Sequence, residues 1–184
     1  MATSYVALLR GINVGGRNMI PMQKLRDTFE AAGYEAVSTY IQSGNVLFET
    51  SGSARALEDE LEAMLERRFK APLVVVVRSH AQLQRVVDRA PEGFGTRPGT
   101  YHSDAIFLKA PLTAQKALRV CKLRDGVDQA WPGPGVVYFA RLSARRTQSR
   151  MSSIVGTPEY KQMTIRSWTT TTKLLGLLDE RRQA

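Results

Sequence analysis

Two arginines bracket a glycine-rich turn near the start of the chain, Arg10-Gly11-Ile12-Asn13-Val14-Gly15-Gly16-Arg17. Guanidinium groups make charge-assisted hydrogen bonds to phosphate or carboxylate, and glycines let backbone N–H groups approach an anion closely. With Asn13 and a helix expected to open at Pro21, the loop has the parts of an anion nest. The same glycines would equally serve a tight connection with both arginines solvated. The spacing Gly-x-x-x-Gly-Gly lacks the Gly-Lys-Ser/Thr ending of a P-loop and is not Gly-x-Gly-x-x-Gly. Nucleoside triphosphatase and dinucleotide-binding readings are therefore disfavoured.

A second polar concentration is Gln42-Ser43-Gly44-Asn45, whose amides and hydroxyl suit a base edge or a sugar. Taken alone, Ser-Gly-Asn is also simply a good turn. A third concentration lies towards the C-terminus. Arg141, Arg145, Arg146 and Arg150 form a basic run without acids, and Arg166, Trp168 and Lys173 set an aromatic between cations. Cations track phosphates while aromatics stack on bases, which suits nucleic acid. For Trp168 alone, a core position at a helix start is the better reading. The ligand-binding candidates are thus Arg10, Gly11, Asn13, Gly15, Gly16, Arg17, Gln42, Ser43, Asn45, Arg150, Arg166, Trp168 and Lys173.

Proton-transfer chemistry finds little support. His80 and His102 have no evident carboxylate partner, and Cys121 falls on an apolar helix face. The acidic residues mostly occupy helix surfaces, so no catalytic constellation, metal site or cofactor motif is recognisable. An enzyme built on this chain would use the Arg/Gly loop to stabilise a small anionic substrate. The leading expectation is instead binding of a phosphate-bearing ligand, nucleic acid or a phosphorylated small molecule; a third alternative is a structural or protein-interaction module.

The charge supports that order. Of the net +9, residues 141 to 184 carry nine Lys and Arg against three Asp and Glu, so two thirds of the excess sits in the last quarter. Segregated positive charge fits a polyanionic partner. No apolar run is long enough to span a membrane, no signal segment is evident, and Cys121 is the only cysteine. These features lead us to expect a cytoplasmic protein without disulfides or a membrane partner.

The elements that must position these residues follow from periodicity. Residues 4 to 10 read as a strand, and Pro21 to Gly33 as a helix with Pro at its first position and Gly at its C-cap. Ala36 to Ile41 and Val46 to Glu49 form a hairpin. Ser53 opens a helix with Leu57, Leu61, Met64, Leu65 and Phe69 inward, and Leu73 to Val77 is a buried strand. This is the order β-α-β-β-α-β. A short helix from Ser79 and a Pro/Gly-rich linker from Ala90 to Gly99 follow. The order then repeats: strand Asp104 to Lys109, helix Thr113 to Arg124, strands Val127 to Trp131 and Gly135 to Arg141, a short helix Ser149 to Val155, strand Gln162 to Ile165, and a final helix Trp168 to Glu180. The expected fold is α+β, two ferredoxin-like halves in tandem with an added C-terminal helix. The domains are 1–78, a connecting helix and linker over 79–100, and 101–184, the repeat being one of element order.

Three segments carry a family resemblance: Tyr5 to Gly16, Tyr40 to Phe48, and Thr164 to Leu174. They resemble the signature segments of the family known as domain of unknown function 1697, over nearly the whole chain. The third departs from that family's usual Arg-Asn-Trp-Asn-Thr in having Ser167 and Thr169. The stretch Gln148 to Ser153 resembles the family's Arg-Ser-Lys-Leu-Thr-Asn region, with Met151 and Ser153 near its lysine and asparagine. The resemblance implies two ferredoxin-like halves and no established activity, so function rests on the site.

Overall fold

A computed structural model describes residues 2–13, 16 and 19–183. The chain is α+β, with two four-stranded antiparallel sheets and a C-terminal helix. It divides into two compact units, Met1–Leu83 with Leu174–Ala184, and Gln84–Lys173.

In the first unit the order is β1 (Thr3–Arg10), α1 (Met22–Ala31), β2 (Glu35–Tyr40), β3 (Asn45–Thr50), α2 (Ala54–Phe69) and β4 (Val74–Ser79). The strands lie in the order β2-β3-β1-β4. Alternation places Tyr5, Ala7 and Leu9 of β1 in one core with Leu25 and Phe29 of α1 and Leu57, Leu61 and Leu65 of α2. Val6 and Leu8, on the opposite face of β1, are buried as well. Pro21 stands at the N-cap of α1 rather than inside it, because its ψ of 135° is extended.

Acidic side chains on α2 do more than favour its dipole. Glu62 Oε1 accepts from the N–H of Val75 at 2.9 Å and Glu58 Oε1 from that of Val77 at 3.0 Å. Carboxylates one helical turn apart thus meet alternate donors of edge strand β4, which closes a ladder that would otherwise invite another chain. Glu58 is consequently buried rather than on the helix surface.

After α3 (His80–Asp88), the second unit builds β5 (Tyr101–Leu108), α4 (Ala114–Val120), β6 (Asp128–Gly133), β7 (Val136–Leu142) and β8 (Met163–Ser167), in the order β6-β7-β5-β8. The final helix, α5, spans Trp168–Gln183. Helix α4 is shorter than its sequence pattern, since the chain turns extended at Cys121 and the N–H of Arg124 donates to Asp128 Oδ2 at 3.0 Å. The short helix expected over Ser149 to Val155 is a 3-10 turn over Met151–Gly156. Two more such turns, Ser143–Gln148 and Pro158–Gln162, flank it. Asp128 Oδ2 also accepts from the N–H of Arg150 at 2.8 Å, and Met151 and Ile154 are buried, so short-range anchoring replaces a continuous helix.

The two sheets repeat a detail beyond element order. Val77-Arg78-Ser79 ends β4 and Ile165-Arg166-Ser167 ends β8. Each arginine is buried and donates from Nη1 to the preceding carbonyl, at 2.8 Å for Arg78 and 2.9 Å for Arg166. Each serine Oγ accepts an N–H of the next helix at 3.2 Å, from Gln82 and Thr170. A strand-end arginine followed by a capping serine is thus built twice.

Candidate functional site

The first unit brings the glycine loop and the 42–45 turn together. Asn13 holds φ +54°, accepts from the N–H of Ile20 at 2.8 Å, and donates from Nδ2 to the carbonyls of Ile20 at 2.9 Å and Gln42 at 3.0 Å. One side chain closes the loop and ties it to the turn. Fully buried Asn45 donates to the carbonyl of Tyr40 at 3.0 Å and to Ser43 Oγ at 2.9 Å. Gly44, at φ +83°, lies so close to β1 that a Cβ would stand 2.8 Å from Ile12 Cδ1 and 2.9 Å from Leu9 Cβ. Asn13 thus bonds backbone groups, and Asn45 a backbone carbonyl and the Ser43 hydroxyl. Arg10 is half-buried at the end of β1, while Gly11, Gly16 and the Gln42 side chain are exposed. Val14, Gly15, Arg17 and Asn18 lie outside the described residues.

Candidates in the second unit separate. Arg150 has an exposed side chain and Lys173 is exposed on α5. Arg166 is buried, with Nη1 also 3.0 Å from Thr164 Oγ1; burial pulls its pKa down to about 10, which leaves it charged at neutral pH. Trp168 is half-buried, edge-on to Phe94 at 5.0 Å and to Tyr138 at 6.0 Å between centroids. Gly95 permits this packing, since a Cβ there would run into the Trp168 indole.

Sequence reasoning missed the hollow beside this aromatic group. Gln129, Ala140 and Ser103 stand opposite one another across β6, β7 and β5. Small Ala140 in the middle leaves a floor, with Trp131 and Tyr101 at its ends and the Pro91–Arg97 segment as its wall. The hollow measures about 220 Å³. Phe94 meets Trp131 edge-on at 6.0 Å, and the Arg97 guanidinium lies 5.2 Å above the Tyr101 ring. Ser103, 8% exposed, has no hydrogen-bond partner for its Oγ. A second hollow of about 190 Å³ shares Tyr101 and Gln129 with the first and runs to Gly126, which lies beneath Arg145 Nη1. The aromatic slot thus has Arg97 over one end, and Arg145 stands by the neighbouring hollow, which Asp125 and Asp128 also line. The segment that composition marks as a linker is the slot's wall, and the aromatic signal was Phe94, Tyr101 and Trp131 dispersed over three elements.

Both histidines have carboxylate partners, contrary to the sequence reading. His80 Nε2 lies 2.6 Å from Asp179 while its Nδ1 faces Arg182 Nη1 at 3.1 Å. Arginine can only donate, so Nδ1 accepts and the proton sits on Nε2. These partners lie 99 and 102 residues away in sequence, beyond any motif spacing. His102 Nε2 and Arg141 Nη2 each approach Asp104 at 3.5 Å. Burial raises the pKa of Asp104, and neighbouring His102 and Arg141 oppose that rise. Burial likewise pushes the Cys121 thiol up to about 11. Among the described residues no group of three His, Cys, Asp or Glu side chains could hold a metal ion, and no helix is long and apolar enough to cross a membrane.

The family described as Protein of unknown function (DUF1697) matches residues 2–138. The chain belongs to this family. DUF1697 membership covers the glycine loop, the 42–45 turn and most of the hollow's lining. A conserved bacterial protein, SP0830, from Streptococcus pneumoniae has a solved structure similar to this chain, with a TM-score of 0.81 at 23% identity, covering 97% of this chain and 99% of that one. That likeness speaks to the fold. A comparison with curated proteins finds no match.

Proposed function

We propose that this DUF1697 protein is a cytoplasmic binding protein for a phosphate-bearing ligand, foremost single-stranded nucleic acid, engaged by its second unit. The observation that carries the reading is the aromatic slot between Trp131 and Tyr101, with Arg97 over the Tyr101 ring and Arg145 near Gly126 of the neighbouring hollow. Cations there would hold phosphates while an unpaired base stacks in the slot. The excess charge of residues 141 to 184 favours the same partner. The single buried cysteine fits a reducing compartment. The test is binding of single-stranded and duplex oligonucleotides over a salt series. Single strands should bind more tightly, with log affinity falling linearly as log salt rises. No binding at low salt would sink the reading.

For the glycine loop and the 42–45 turn, a structural role has its own support. Asn13, Gly44 and Asn45 serve backbone closure, which explains that residue pattern without a ligand.

We further propose that the two halves are ferredoxin-like and arose by duplication. The matching strand orders and the repeated Arg-Ser junction support this. The repeat divides the sequence at 1–78, 79–100 and 101–184, following element order rather than spatial grouping.

A further inference from the structure

We infer that the hollow over Ala140 is a nucleobase slot that takes one unpaired base, read along its edge by the Gln129 side-chain amide. The inference deepens the nucleic-acid reading and rests on it. The first ground is shape. At about 220 Å³ the hollow falls below the roughly 300–1,000 Å³ of sites for drug-sized ligands, so it suits a single small ring system.

The second ground is the lining. Trp131 and Tyr101 flank a floor formed by Ser103, Ala140 and Gln129, a pattern that follows from strand register. A planar ring entering between them finds aromatic surface at its sides and polar groups beneath. Tyr101 already carries the Arg97 guanidinium on its ring, so a cation stands at the rim where a sugar-phosphate would leave the slot.

The third ground is Gln129. It lines the hollow from the same row as Ser103, across Ala140, and it is exposed. A primary amide both donates and accepts, which matches the mixed edge of a nucleobase and not a bare phosphate.

The test uses the full chain with uncharged nucleosides, followed by tryptophan fluorescence, since Trp131 and Trp168 are the only tryptophans. Nucleosides should quench Trp131 and bind with affinity that barely changes across a salt series in which oligonucleotide affinity falls steeply. Gln129→Ala should weaken nucleoside binding about tenfold while leaving the free protein nearly as stable, because the side chain is exposed. Trp131→Ala should weaken it by roughly 5- to 100-fold through lost stacking. Ala140→Leu, which fills the floor, should abolish nucleoside binding. If that variant fails to fold, Gln129→Ala decides, since it alters an exposed side chain. Oligonucleotides that bind Gln129→Ala and Trp131→Ala as tightly as wild type would overturn the slot and leave the nucleic-acid reading standing. Nucleosides bound in the slot with no oligonucleotide binding at any salt would uphold the slot and overturn that reading.

Discussion

Gly44 and Gly11 have nearly the same φ, +83° and +82°, but very different surroundings. A Cβ at Gly44 would enter Ile12 and Leu9, whereas at Gly11 it meets nothing within 4 Å. Gly11→Ala should therefore cost only the left-handed backbone penalty, about 1–2 kcal/mol. Gly44→Ala adds overpacking of about 1–3 kcal/mol on top of that penalty. Urea unfolding of the two variants measures the gap, and equal losses would show that the turn does not press on β1. Neighbouring residues here differ in how far the sequence alone reveals them. The turn at 42–45 was legible because Ser-Gly-Asn has turn chemistry of its own. The use of Asn13 was not, because its partners Ile20 and Gln42 become neighbours only when the loop closes and the hairpin folds back on β1.

Among the elements, α2 and β4 are coupled by carboxylates rather than by apolar contact alone. Glu58 accepts from the Val77 N–H and lies 3.5 Å from Arg78, with both side chains buried. Burial lowers the pKa of Arg78 and the negative charge of Glu58 opposes that fall. Glu58→Ala would take the carboxylate from a buried guanidinium, a change that typically costs about 3–5 kcal/mol. Glu58→Gln keeps an acceptor for Val77 and should cost less. Measured by denaturant unfolding, equal losses in the two variants would assign the effect to the charge and not to the backbone bond. The apolar stripe of α2 was legible because helical periodicity needs no knowledge of a partner. The inward role of Glu58 was not, since it depends on β4 being an edge strand, a property of the sheet order. The 3-10 turns before β8 were hidden for a similar reason: Asp128, on β6, holds the N–H of Arg150 from 22 residues away.

At the scale of the whole molecule, strand pairing generates what no local window contains. The floor of the slot joins residues 103, 129 and 140, which share one face only through the pairing of β5, β6 and β7. Charge behaves differently, since its segregation is visible in the sequence and survives folding as exposed side chains at Arg145, Arg146 and Arg150. A net charge of +9 would attract polyanions even without a site, so total charge must be separated from placed charge. Two triple variants remove equal charge from different places: Arg145, Arg146 and Arg150 to Gln, and exposed Arg55, Arg67 and Arg68 of α2 to Gln. If these three arginines hold phosphates, the first variant should lower the magnitude of the salt slope for single-stranded oligonucleotides by about 0.7 for each phosphate no longer neutralised, roughly 2 in all. The second variant should leave that slope near the wild-type value. Equal changes in the two would mean that bulk charge alone draws the polyanion, and would remove the second unit's claim to the phosphates.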